Sequence, residues 1–117
     1  ESGIFQLTPQ ADGRLRAEQC ASVEHAREKM RFNDGRCDRQ GRFWAGTMQT
    51  NMGAETVGAL YRYDPQVGGP VQLLQARLHE LTVPNGMAFS PDGKTLTGRN
   101  NQGNELRGTR RVTSPRP

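Results

Sequence analysis

A motif that occurs twice, 52 residues apart, is the feature that most limits how this chain can fold. The first copy has Asn-Asp-Gly at residues 33–35 and a second glycine at Gly41; the later copy has Asn-Gly at residues 85–86 and Gly93. A Pro-Gln pair also recurs, at residues 9–10 and 65–66. Two interleaved repeats of this length indicate a repeat architecture in which similar units follow one another along the chain.

Each repeat is predicted to contain short strands joined by turns. Glycine adopts positive φ and Asx side chains bond to nearby backbone, so residues 33–35 and 85–86 are predicted to be tight turns. The fourteen glycines and seven prolines fit a chain with many turns. We therefore predict an all-β chain built from propeller blades. The predicted strand pairs are 3–7 with 14–20, 57–63 with 71–75, and 87–90 with 94–97.

The length of the chain allows only a partial propeller of about two blades. Propellers close with four to eight blades, and a six-bladed ring needs roughly 300 residues at this period. The remaining blades are therefore expected to be absent from this chain, which leaves open sheet edges. We assign residues 1–97 to the partial propeller. Residues 98–117 are predicted to be an irregular, disordered basic tail with the character of a truncated or frame-shifted terminus, because apolar alternation stops after Thr97.

The net charge of +4 does not predict a nucleic-acid surface, because the basic excess lies from Lys94 onward rather than on the repeats. The arginines at positions 107, 110 and 111 leave nucleic-acid binding as a third hypothesis, weakened by the lack of interleaved aromatic residues. No apolar run is long enough to span a membrane. The first residues show no secretory signal, so the expected location is cytoplasmic.

Four motifs resemble those of the senescence-marker-protein/gluconolactonase family, which includes regucalcin-like lactonases. They are RFNDG at 31–35, GRFWAGTM at 41–48, GALYR at 58–62 and PNGMAFSPDG at 84–93. The resemblance implies a six-bladed β-propeller with a divalent cation, calcium or zinc, in its central channel. It also implies hydrolysis of sugar lactones such as gluconolactone, with this chain corresponding to a central fragment.

The resemblance also implies roles for individual residues. Asn85 is expected to ligate the metal, Arg31 and Asn33 to contact the substrate, and Asp34 to shape a turn. Considered without the resemblance, Asn33 and Asn85 are ordinary turn residues. No residue is assigned as catalytic, because the family's glutamate ligand has no match before Gly3 and residues 94–100 contain no aspartate.

Two functions therefore stay open at the level of sequence. The first is metal-dependent lactone hydrolysis by the parent fold, in which the cation polarises the lactone carbonyl and this chain is an incomplete copy. The alternative is a non-catalytic propeller fragment that acts as a binding or calcium-handling module. The alternative is supported by the missing carboxylates, because one neutral amide is a poor site for a hard cation.

Overall fold

The computed structural model describes residues 2–51, 55–67, 69–102 and 105–113, with side chains up to residue 100. Within these ranges the chain forms strands and no helix, which confirms the all-β prediction. No helix in the described residues is long and apolar enough to cross a membrane. The described residues contain ten strands, namely β1 (Gly3–Pro9), β2 (Leu15–Ser22), β3 (Met30–Cys37), β4 (Phe43–Gln49), β5 (Gly58–Tyr63), β6 (Gln72–Leu73), β7 (Ala76–Leu81), β8 (Val83–Phe89), β9 (Thr95–Gln102) and β10 (Glu105–Thr113).

The strands form three open sheets, and except for β6 the strands of each sheet are consecutive along the chain. The first sheet has the order β1-β2-β6, the middle sheet β3-β4-β5-β7 and the last sheet β10-β9-β8. The hairpins predicted from residues 3–7 with 14–20 and from 87–90 with 94–97 are both present. Their turns contain Gly13 and Gly93, at φ values of 83° and 71°, which glycine adopts at little cost.

The tight turns predicted at residues 33–35 and 85–86 are wrong. Both segments lie inside strands, β3 and β8, where the register with the neighbouring strand shifts between Phe32 and Gly35 and between Asn85 and Ala88. A register shift of this kind is a β-bulge, which bends a strand without reversing it. The glycine at position 86, at φ 61°, therefore serves a bulge rather than a hairpin turn.

The predicted pairing of residues 57–63 with 71–75 is also wrong. Strand β5 pairs with β4 and β7, whereas β6 crosses to the first sheet and pairs in parallel with β2. The backbone N–H of Leu74 donates to the carbonyl of Ser22 at 2.8 Å, and the Leu74 side chain is buried beside Ala21. Burial of this leucine against the first sheet accounts for the crossover.

The end of the chain differs from the predicted irregular tail over residues 98–117. Strand β9 extends through Gln102, and β10 pairs with it in an antiparallel hairpin. Backbone hydrogen bonds suffice for such a pairing, so an apolar alternation is not required to form it. The division at residue 97 falls inside β9 and stays a prediction, while residues 103–104 and 114–117 lie outside the described part.

Two apolar clusters join the three sheets, and β5 contributes to both. Successive side chains of a strand point to opposite faces. Ala59 and Tyr61 accordingly pack toward the first sheet, with Ala21, Val23 and Leu74. Leu60 packs on the other side, in a cluster with Trp44, Leu81, Met87 and Leu96 that Phe89 also contacts. The aromatic side chains of Trp44, Tyr61 and Phe89 therefore pack between the sheets.

A buried carboxylate organises the turn between β3 and β4. Asp38 accepts hydrogen bonds from Arg42 Nε at 2.7 Å, Trp44 Nε1 at 2.9 Å and Gln40 N at 2.9 Å. Burial raises the pKa of this carboxyl, but the hydrogen bonds from Trp44, Arg42 and Gln40 outweigh it, so the pKa lies below its ordinary value of 3.8. The turn is therefore built around an ionised aspartate.

This lowered pKa predicts that acid destabilises the fold. A carboxyl whose pKa is lower in the folded state contributes stability above its unfolded pKa and loses it as the pH falls through the folded value. The free energy of unfolding is thus expected to fall as the pH drops below about 5, with a flatter slope in Asp38→Asn. Urea unfolding, followed by tryptophan fluorescence at several pH values across this range, measures the free energy of unfolding of the wild type and of Asp38→Asn. An equal slope in both proteins would contradict the prediction; Asp12→Asn, at an exposed turn carboxylate, is the control.

Candidate site at the junction of β3 and β8

Arg31 and Asn33 meet on β3, and Asn33 reaches across to β8. Arg31 Nη1 donates to Asn33 Oδ1 at 3.2 Å and to the Phe32 carbonyl at 3.1 Å. Asn33 Nδ2 donates to the Pro84 carbonyl at 2.8 Å. The two predicted substrate-contacting residues therefore lie together, and Asn33 contacts the residue just before the predicted metal ligand Asn85.

Asp34 and Arg36 bind the backbone of β8 on the other side of Asn85. Asp34 Oδ2 accepts from Gly86 N at 2.8 Å and from Met87 N at 3.4 Å. Arg36 Nη1 donates to the Met87 carbonyl at 3.2 Å. The prediction that Asp34 shapes a turn is therefore wrong, because Asp34 lies at a bulge inside β3 and its carboxylate binds backbone about 52 residues further along the chain.

Asn85 is exposed and borders a cleft between the middle and last sheets. Its Oδ1 accepts a hydrogen bond from Gly86 N at 3.0 Å. Leu60 and Leu81 line the apolar part of the cleft, and Arg99 lies beside Asn85 at its polar edge. The structure thus brings Asn33 into contact with Pro84, the neighbour of Asn85, and leaves the Asn85 side chain exposed.

The described residues do not form a divalent-cation site by themselves. No group of three or more His, Cys, Asp or Glu residues comes together among them. Asn85 offers one amide oxygen, and Asp34 uses Oδ1 for Gly35 N at 3.0 Å and Oδ2 for Gly86 N. Calcium takes six to eight oxygen ligands, often from carboxylates. The donor set of the described residues therefore falls short of what calcium requires.

Asn100 has a structural role that the sequence did not reveal. Its Oδ1 accepts from Thr82 N at 2.8 Å and from Val83 N at 3.1 Å, so it fixes the chain where β8 begins. It lies in the segment 94–100, where the family resemblance implies an aspartate ligand and this sequence has none. A side chain that binds backbone 17 and 18 residues away leaves no local pattern, so sequence reasoning had no signal for it.

The chain is similar to known lactone hydrolases over much of its length. A 6-deoxy-6-sulfogluconolactonase of Pseudomonas putida is 41% identical over 91 residues, which cover 78% of this chain and 28% of that protein. A lactonohydrolase of Aspergillus oryzae is 47% identical over 51 residues, 39% of this chain and 10% of that protein. The chain therefore spans less than a third of the length of these relatives.

Two solved structures share the arrangement of strands. Regucalcin of Agrobacterium tumefaciens, a calcium-binding protein, matches with a TM-score of 0.65 and 31% identity over 90% of this chain and 32% of that one. A luciferin-regenerating enzyme matches with a TM-score of 0.62 and 20% identity over 93% of this chain and 40% of that one, a likeness of fold alone.

The family resemblance seen in the motifs is confirmed over nearly the whole chain. The sequence model of the SMP-30/gluconolactonase/LRE-like region matches residues 1–104, which include all nine strands from β1 to β9. The match includes both the β3 and the β8 motifs that meet at the candidate site. This chain belongs to the SMP-30/gluconolactonase/LRE-like family.

Proposed function

We propose that this chain forms part of the substrate site of a sugar lactone hydrolase with a six-bladed propeller. Family membership and the two lactone-hydrolysing relatives support the reaction class. The observation that carries the proposal is the hydrogen bond of Asn33 to Pro84, which joins the Arg31–Asn33 pair to the segment bearing Asn85. The three sheets would be consecutive blades of the ring, and the remaining blades would lie outside this chain.

In this proposal Arg31 and Asn33 bind and orient the lactone. Arg31 presents planar, paired N–H donors that suit carbonyl, hydroxyl or carboxylate oxygens. Its bond to Asn33 holds the guanidinium in one direction, so less side-chain freedom is lost when a substrate binds. Asn33 adds an amide next to the guanidinium. Together they would fix one edge of a sugar ring against the β3–β8 junction.

A divalent cation, calcium or zinc, belongs to the proposal for the complete protein. The calcium-binding regucalcin structure supports it. Asn85 would supply one oxygen from this chain, and carboxylates would have to come from residues outside the described set. Nucleic acid and membranes are not proposed as partners, and the cytoplasmic location stays a prediction.

The test is hydrolysis of gluconolactone by the complete protein, in which the remaining blades are present, followed by acid release at constant pH. Activity is expected with added calcium or zinc and is expected to stop with chelator. Asn85→Ala is expected to abolish it, because it removes the ligand oxygen that this chain provides. Gln75→Ala, an exposed amide between β6 and β7, is the control and should retain full activity. Unchanged turnover in Asn85→Ala would remove Asn85 from the site.

The second candidate is a binding or calcium-handling module without catalysis. It is favoured by one observation, the lack of a carboxylate cluster among the described residues. Saturable binding of calcium or of a lactone, with no hydrolysis above the spontaneous rate, would select it. Chelator-sensitive hydrolysis would select the hydrolase.

A further inference from the structure

We propose that Asp34 is a positioning residue that holds the β8 bulge in the shape that presents Asn85. The inference rests on the proposed role of Asn85 and adds a residue that acts through it. Its basis is a single carboxylate that joins two bulges in neighbouring sheets. Asp34 Oδ1 accepts from Gly35 N in β3, and Oδ2 accepts from Gly86 N in β8.

The bulge in β8 needs such an acceptor. A bulge leaves an extra residue outside the regular ladder, so its N–H requires another partner. Gly86 lies in the register shift of β8, between the paired residues Asn85 and Ala88, whereas Gly35 is the residue at which β3 rejoins its ladder. One carboxylate satisfies both N–H groups, and its negative charge makes each bond stronger than a bond to a neutral oxygen.

Side chains of β3 form hydrogen bonds with the backbone on both sides of Asn85. Asn33 binds the Pro84 carbonyl before it, and Asp34 binds the N–H groups of Gly86 and Met87 after it. Asn85 therefore sits on a segment of three peptide groups fixed by the neighbouring sheet. Its side chain is directed by that segment rather than by packing of its own, since it is exposed.

Asp34 also affects the availability of the Asn85 oxygen. The Gly86 N–H is shared between Asp34 Oδ2 at 2.8 Å and Asn85 Oδ1 at 3.0 Å. The carboxylate is the closer and the charged acceptor, so it draws the N–H away from the amide. Without the Asp34 carboxylate, Asn85 Oδ1 is the remaining acceptor for the Gly86 N–H and is therefore less available to a ligand.

The test has two parts, of which the first does not depend on any ligand. Amide hydrogen exchange is measured by NMR in the wild-type chain and in Asp34→Ala. Exchange at Gly86 is expected to be about tenfold faster in the variant, which corresponds to loss of one charge-assisted bond. Asp34→Asn keeps the side-chain volume and serves if the alanine variant is poorly folded. Asp92→Ala, a turn carboxylate bonded to Ser90 and Lys94, is the matched control.

The second part is a double-mutant cycle on the binding of gluconolactam, a lactone analogue that resists hydrolysis. If Asp34 acts through Asn85, Asp34→Ala weakens binding several-fold in the wild type and has no further effect on Asn85→Ala. Asp92→Ala leaves binding unchanged. Equal effects of Asp34→Ala in both backgrounds would overturn the positioning role.

The two parts separate failure of the inference from failure of the proposed function. Unchanged exchange at Gly86 in Asp34→Ala would overturn the positioning role, whatever the chain binds. Faster exchange at Gly86 in Asp34→Ala, together with no binding of gluconolactam by the wild type, would support the role of Asp34 in holding the β8 bulge and would reject the lactone site.

Discussion

Replacing Asp38 with alanine is expected to lower the free energy of unfolding by about 3–5 kcal/mol, the usual effect of removing one partner of a buried ion pair. The side chains of Asp38 and Arg42 are 2% and 4% exposed, and Arg42 Nε lies 2.7 Å from the carboxylate. The alanine variant leaves the guanidinium buried without that carboxylate. It also removes the acceptor for Trp44 Nε1, in the middle of the cluster between the middle and last sheets.

Urea unfolding of the wild type and the variant measures this loss. Domains are stable by only about 5–15 kcal/mol, so a variant without a cooperative transition also meets the expectation. Asp12→Ala is the control, because the Asp12 carboxylate also accepts from a turn N–H, that of Arg14, but is exposed. The free energy of unfolding is expected to fall by no more than about 1 kcal/mol in this variant. A loss below about 1 kcal/mol in Asp38→Ala would contradict the role given to this carboxylate.

Gly58→Ala is expected to lower the free energy of unfolding by about 3 kcal/mol, at the upper end of the range for overpacking. Gly58 is buried between β4 and β7. A Cβ there would meet the carbonyl oxygens of Thr47 and Leu81, the second at 2.7 Å. These are backbone atoms of the two neighbouring strands, so relief of the clash requires the sheet itself to move.

Gly98→Ala is the matched control for this substitution. A Cβ at Gly98 in β9 would lie 3.6 Å from Met87 Cγ, an ordinary van der Waals distance. The effect is expected to be within about 1 kcal/mol and can be stabilising, because glycine in a strand loses more backbone entropy than alanine. Thermal or urea unfolding of both variants compares them. Equal losses in the two would show that space at Gly58 is not the limiting factor.

The hairpins were predictable because their signals are local. Gly13 and Gly93 are glycines at positive φ between two short strands, and each turn closes within a few residues. The Asn-Asp-Gly of β3 and the Asn-Gly of β8 carry the same local signal, namely a glycine beside an Asx side chain that bonds to backbone. Whether the chain then reverses or only bulges depends on the neighbouring strand, which a short sequence window does not contain.

The candidate site was predictable only in part. Arg31, Asn33 and Asn85 could be named because their motifs match the family. The contacts that join them lie between sheets, across 51 to 53 residues, and follow from the packing of β3 against β8. The same holds for Asn100, whose partners lie at the start of β8. The partners of side chains that bind distant backbone depend on which strands pack together, so the spacing of residues in the sequence does not reveal them.

The most direct test of the proposed site is an NMR titration of the isotope-labelled chain with gluconolactam in the presence of calcium. The predicted result is a set of saturable chemical-shift changes at Arg31, Asn33, Asn85 and Gly86. These changes are expected to be lost in Asn33→Ala. Shifts confined to the first sheet, or no shifts in a folded chain up to high probe concentration, would contradict a lactone site at the junction of β3 and β8.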